Sequence, residues 1–293
     1  MMTPVGKFLA RAGVPPLNRT TDLTNVAKRT ALRRKSDGTY YLSNLRRGDL
    51  LYALIARLRP RVVLEIGTGR GYGALCMAMA AVDTGTDTTI ISVDQIPPQV
   101  EQDWPIDEGD GPTTVRRSVR QVWSQLPEVW TRRITLRTGS STDVMREWLA
   151  DPHAPTVDFA FIDGGHDFWT ARHDVMTALM AGRGASVSLL LDDYGGVQGK
   201  AVRRFVDGTL APRLPDAAIH RLEMPQSPDE FEDNGEHGMV FIDGQLALVN
   251  AERFGWAARR SSSTARFAAN VEAASWRARA ATVRGLRRLG VRR

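Results

Sequence analysis

The chain has 293 residues, 42% hydrophobic and 25% charged, enough to bury a full core in one large domain with appendages or in two modest domains. A single cysteine, Cys76, excludes an intrachain disulfide and points to a reducing compartment, and no run approaches the roughly 18 apolar residues of a membrane span, so a soluble, cytoplasmic protein is expected. The net charge of +6 is concentrated in residues 251–293, where eleven arginines face two glutamates, while the remaining 250 residues carry 28 basic against 31 acidic side chains; a nucleic-acid partner is therefore not expected.

In chain order, residues 1–44 form a polar extension, and Leu50, Leu51, Leu54, Ile55 and Leu58 mark a helix face before the first apolar run. From there strands alternate with helices. The strands are expected at 61–66, 88–94, 134–138, 157–163, 186–192, 218–224 and 238–242, and the helices at 72–82, 168–181 and 197–210. Continuous apolar runs such as "TIISV", "FAFI" and "SLLL" suit strands buried on both faces of a parallel sheet, so the fold class is α/β, a doubly wound, Rossmann-like, seven-stranded and mostly parallel sheet. Two long irregular segments interrupt it, "PPQVEQDWPIDEGDGPTT" after the second strand and "PQSPDEFEDNGEHG" before the last; such loops at one end of a sheet serve as lids or binding loops. "IDGQLALV" either prolongs the last strand or turns back at Asp243-Gly244. The arginine-rich tail, 251–293, reads as a basic amphipathic helix that docks on the domain or on a second subunit, or that binds an acidic partner or an anionic membrane surface.

The chemistry begins at "LEIGTGRGYG", residues 64–73. A strand that ends in a glycine-rich turn and opens a helix brings backbone N–H groups and a helix N-terminus close to a ligand. The dinucleotide fingerprint would need glycine at position 72, which is Tyr72. Downstream, Asp163 follows the fourth strand, and Asp192 and Asp193 close the fifth. Were those strands neighbours, three carboxylates would meet in one crevice, an arrangement that a hard divalent cation such as Mg²⁺ neutralises, whereas Asp192 or Asp193 as a helix cap is the plainer alternative.

Glu65, Gly67, Gly69 and Gly71 match the first motif of the class I S-adenosylmethionine-dependent methyltransferases, which the segment from about 45 to 250 resembles. The resemblance implies that Glu65, Gly67, Thr68, Gly69 and Gly71 bind the cofactor, that Asp94 and Gln95 hold its ribose, that Ser140 and Ser141 flank its adenine, and that Asp163 lies beside it. The aspartates are further similar to those of the magnesium-dependent sugar O-methyltransferases of the macrocin type, in which the equivalents of Asp163, Asp192 and Asp193 hold the cation. This chain has "IDGGH" where some of that group have "DGDLY". His166 is the first candidate for the general base, with Asp163 and His237 as alternatives. His173 is expected on a helix surface, and Tyr194 and Trp169 are candidates to shape the acceptor pocket. Trp104, with Asp103 and Asp107, suggests a lid over a hydroxyl-rich molecule, so the expected small-molecule acceptor is a saccharide or a glycosylated natural product. Relatives of this kind imply a homo-oligomer. A metal-independent methyltransferase and a non-catalytic binding protein of the same fold are the competing expectations.

Overall fold

The computed structural model describes residues 1–13, 20–42, 45–195, 199–225 and 237–247. The basic tail and most of the acidic loop before the last strand, both singled out above, lie outside the described residues.

All seven expected strands form, and they lie in one sheet with an eighth. The order across the sheet is Thr3–Pro4, Ile219–Glu223, Gly238–Ile242, Ser188–Leu191, Phe159–Ile162, Val62–Ile66, Thr89–Asp94 and Ile134–Thr138. Gly238–Ile242 runs antiparallel to both of its neighbours, and every other pairing is parallel. The central strands are apolar along their length because helices cover both faces; Phe159, Phe161, Leu189 and Leu190 are fully buried. The sheet thus has eight strands rather than seven, since Thr3 pairs with Leu222 and Pro4 with Glu223.

The residues before position 45 build more than an appendage. Helices Val5–Arg11 and Thr20–Thr30 contribute Phe8, Leu23, Val26 and Ala27 to the main core, and a short antiparallel ribbon, Leu32–Arg34 with Tyr40–Leu42, follows. The proline-bearing insertion folds as a second antiparallel ribbon, Gln102–Asp107 with Pro112–Arg117. Residues 244–247 form a helical turn, so the chain neither prolongs the last strand nor turns back as a hairpin there.

Two features of this architecture place the site. The chain moves outward from Val62–Ile66 through Thr89–Asp94 to Ile134–Thr138, then restarts on the other side at Phe159–Ile162. The carboxyl ends of Val62–Ile66 and Phe159–Ile162 therefore diverge at a topological switch point, where such sheets open a crevice. The helix Leu45–Leu58 also lies close against Tyr72–Asp83: a Cβ on Gly48 would stand 2.1 Å from the Tyr72 Oη, and that hydroxyl donates to the Leu45 carbonyl at 2.8 Å. This close approach carries Arg47 inward, next to the strand ends.

Candidate active site

The glycine turn after Val62–Ile66 is explained atom by atom. Gly67 has φ +97°, and a Cβ there would stand 2.0 Å from the Asp163 carbonyl oxygen; Gly71, at φ +88°, would drive a Cβ to 2.0 Å from the Trp123 ring. Both positions need glycine for conformation and for space. Gly73 leaves room for the Glu65 carboxylate, 2.4 Å from where its Cβ would be, whereas nothing lies within 4 Å of a Cβ on Gly69. The open side of Gly69 faces a cavity of about 640 Å³ lined by Glu65, Gly67, Thr68, Gly69, Asp94, Gln95, Ser140, Ser141, Asp163 and His166, among others. Every cofactor residue expected from the sequence except Gly71 therefore lines one cavity. Gly71 instead caps the helix that follows.

The polar groups on that wall are held in place by the backbone. Asp94 accepts from the Gly69 N–H at 2.8 Å with one oxygen and from the Ile96 N–H at 2.8 Å with the other. Thr68 turns its hydroxyl to Ser92 at 2.6 Å, and Ser92 in turn donates to Glu65. Ser140 caps the helix Ser141–Ala150, exchanging hydrogen bonds with Asp143. Burial pushes Glu65 up to about 8, against which the Ser92 hydrogen bond and the Arg47 charge work in the opposite direction.

The raised value at Glu65 has a consequence for stability. The folded, cofactor-free protein holds this proton more tightly than the unfolded chain does, so the group's stabilising contribution is full below its ordinary value of 4.5 and is lost as pH rises to about 8. Glu65→Gln should flatten that decline. Thermal unfolding of the two proteins at about pH 5 and about pH 9 should show the variant gaining on the wild type at the higher pH, and an unchanged difference would exclude the effect.

At the other end of the cavity the expected carboxylates converge through an arginine. The Asp163 backbone N–H donates to the Ile66 carbonyl at 2.8 Å; its carboxylate Oδ2 accepts from Arg47 Nη1 at 2.7 Å, and the same nitrogen donates to Asp192 Oδ2 at 2.5 Å. Burial and the adjoining aspartates hold Asp163 well above the usual carboxylate range in spite of Arg47. Asp192, also buried, stays below that range because the Arg47 and His237 charges and the Asp193 N–H outweigh its desolvation. The guanidinium itself is raised, since the pull of Asp163 and Asp192 exceeds the cost of its burial. Arg47 also lies 5.7 Å from the centre of the Phe161 ring. Sequence reasoning missed this residue. The available signal was the demand of three clustered aspartates for a cation.

Asp192, Asp193 and His237 each offer a ligand atom within 4.8 Å of the others. Asp163, expected as the third ligand, is not in that group; the place beside it is filled by Arg47. Asp193 has a left-handed backbone, φ +56°, and its carboxylate meets His166 Nδ1 at 2.6 Å. This strained position turns Asp193 toward the histidine.

Other expectations are corrected. His173 is 3% exposed, with its Nδ1 3.2 Å from Asp174, because the helix Phe168–Ala181 is covered by the sheet and its neighbours. Tyr194 is buried and donates its hydroxyl to Asp207 at 2.9 Å, while Trp169 is on the surface beside Arg172; neither lines the cavity. Trp104 is fully buried and donates to the Arg29 carbonyl, Asp107 pairs with Lys28, and Asp103 pairs with Arg116. The insertion spends its apolar face on the core rather than on a ligand.

Residues 64–194 match the family model described as a methyltransferase domain. A cofactor-bound protein from MTB shares the fold at a TM-score of 0.50 and 15% identity, with 83% of this chain and 98% of that chain covered. The O-methyltransferase TomG from Streptomyces achromogenes, solved with SAM and involved in tomaymycin synthesis, has a TM-score of 0.48 at 16% identity over 82% of this chain and 95% of its own. An O-methyltransferase from Bacillus cereus, solved with SAH, has 0.48 at 17% over 81% and 95%. The search of curated proteins found no match.

Proposed function

We propose, from the match of residues 64–194 to a methyltransferase-domain model, that the protein is an S-adenosylmethionine-dependent O-methyltransferase acting on a hydroxyl group of a small molecule. The observation that carries this is the continuity of one cavity from the open side of Gly69 and the Asp94 carboxylate to His166, whose Nδ1 meets Asp193. The wall fits the cofactor: a Cβ at Gly69 would intrude on the cavity, and Asp94 is fixed by two backbone N–H groups. Gly67, Thr68, Gln95, Ser140 and Ser141 complete the cradle, and Glu65 lies beneath the turn.

When bound, the cofactor supplies a methyl group already activated for transfer. The chain's own task is to hold the acceptor oxygen in line and remove its proton. His166 does the latter in this proposal, with Asp193 orienting the ring through Nδ1 so that Nε2 is directed to the acceptor.

Asp192, Asp193 and His237 would hold a divalent cation, which when bound lowers the pKa of an acceptor hydroxyl. Two carboxylates and an imidazole suit Mn²⁺ or Zn²⁺ as well as Mg²⁺. Arg47 favours a second reading, in which its guanidinium supplies the positive charge beside Asp163 and the reaction needs no metal. Turnover that survives exhaustive chelation selects the second reading. The residues that pointed to a saccharide, Trp104, Asp103 and Asp107, are engaged elsewhere, so the acceptor class is taken from the cavity wall below.

Calorimetry tests the cofactor assignment. Wild-type protein should bind S-adenosylhomocysteine, and Gly69→Val, checked for folding by circular dichroism, should lose that binding because a branched side chain fills the approach. Wild-type affinity in the variant would overturn the assignment.

A further inference from the structure

Three arginines, Arg33, Arg47 and Arg70, line the cavity that holds the glycine turn and His166. They are not equivalent. The Arg47 charge is matched by Asp163 and Asp192. Arg70 has no such match among the described residues: burial and the neighbouring charge of Arg33 push it down to about 9. Arg33 is lowered as well, by burial first and by Arg47 second, against weaker help from Tyr41 and Asp163. Two guanidiniums thus share one cavity wall, partly desolvated and, among the described residues, short of negative charge.

Their placement is built rather than incidental. Arg70 belongs to the glycine turn itself. Its Nη1 donates to the Leu32 carbonyl at 2.7 Å, its Nη2 to the Asp103 carbonyl at 3.3 Å, and its plane lies over the Trp104 ring, 5.4 Å from the centroid. Leu32 adjoins Arg33 on the ribbon strand Leu32–Arg34, so Arg70 ties down the strand that carries Arg33. A fork of paired N–H donors is the arrangement that receives a carboxylate, sulfate or phosphate, and a buried excess of one sign is relieved by a ligand of the other.

We propose that Arg33 and Arg70 form an anion subsite for the acceptor, so that the substrate is a hydroxylated molecule bearing a carboxylate, sulfate or phosphate group. The proposal rests on the methyl-transfer reading above and names its substrate class. The anchor orients the acceptor within the cavity that also contains His166, and a neutral sugar would leave both guanidiniums unanswered.

The cofactor's own carboxylate has the same chemistry, and the experiment separates the two sources. Inorganic sulfate is titrated into the full chain saturated with S-adenosylhomocysteine, against chloride at equal ionic strength, for the wild type and for Arg33→Gln. Arg33 is chosen because Arg70 also fastens the two ribbons; Arg70→Lys serves as the second variant. The expected result is sulfate binding to the saturated wild type, weakened by about tenfold or more in Arg33→Gln, with S-adenosylhomocysteine affinity within about twofold of wild type. Loss of S-adenosylhomocysteine affinity by about tenfold in Arg33→Gln would assign the arginines to the cofactor and overturn the proposal. Sulfate that binds both proteins alike, or neither, also overturns it. Failure of the wild type to bind S-adenosylhomocysteine, read before sulfate is added, removes the methyltransferase reading and the proposal together.

Discussion

Arg47→Met should lower the stability of the folded protein by about 3–5 kcal/mol, the usual cost of leaving buried charge without its partner. The Arg47 side chain is 12% exposed and Asp192 2%, so water cannot replace the lost guanidinium. The aliphatic replacement keeps most of the packing against Phe161, which separates the loss of charge from the loss of volume. Urea unfolding measures the difference. Arg47→Lys should recover part of it, because an ammonium restores the charge without the fork. A divalent cation titrated into Arg47→Met should stabilise it more than it stabilises the wild type, since Asp163 and Asp192 then share an open place. A loss below about 1 kcal/mol would show that the contacts behave like an exposed ion pair and would end the resident-cation reading.

His166→Ala should lower kcat by about a hundredfold or more with cofactor affinity nearly unchanged, since a positioned base contributes about 10² to 10⁴. Asp193→Asn should lower kcat in the same direction, because the ring it orients through the 2.6 Å contact loses its charged partner. Steady-state kinetics with calorimetry of S-adenosylhomocysteine binding checks both. An unaltered kcat in His166→Ala would pass the role to Asp163 or His237. Of these, His237 lies 3.4 Å from Asp192 and Asp163 is engaged by Arg47.

What the amino-acid order revealed, and what it hid, follows from the range of each interaction. The helix at 168–181 was legible to the residue, because Asp167 caps it with bonds to the Trp169 and Thr170 N–H groups and the following residues carry no breaker. The glycine turn was legible because its spacing is local. Arg47 was not, since a basic residue in "LRRGDLL" ordinarily faces water, and only the close approach at Gly48 turns it inward. His173 misled for a similar reason: charged neighbours at 172 and 174 suggested a wet face, yet Asp174 is itself fully buried. Trp104 suggested a ligand-facing aromatic, but its burial depends on helix Thr20–Thr30, about 75 positions earlier, whose Arg29 carbonyl takes its N–H.

The short strand Thr3–Pro4 has a consequence for assembly of the chain. Thr3 finds its partner at Leu222, so this rim of the sheet is completed only after nearly all of the domain exists, a pairing of the slow, non-local kind. Until then Ile219–Glu223 would be a terminal strand with one free row of backbone groups, an invitation to a neighbouring molecule. Thr3 and Pro4 answer it by covering the end of the row at Leu222 and Glu223, and Pro4, which has no N–H of its own, offers little ladder for another strand to extend. The opening residues of the chain thus act as a seal against aggregation, applied last.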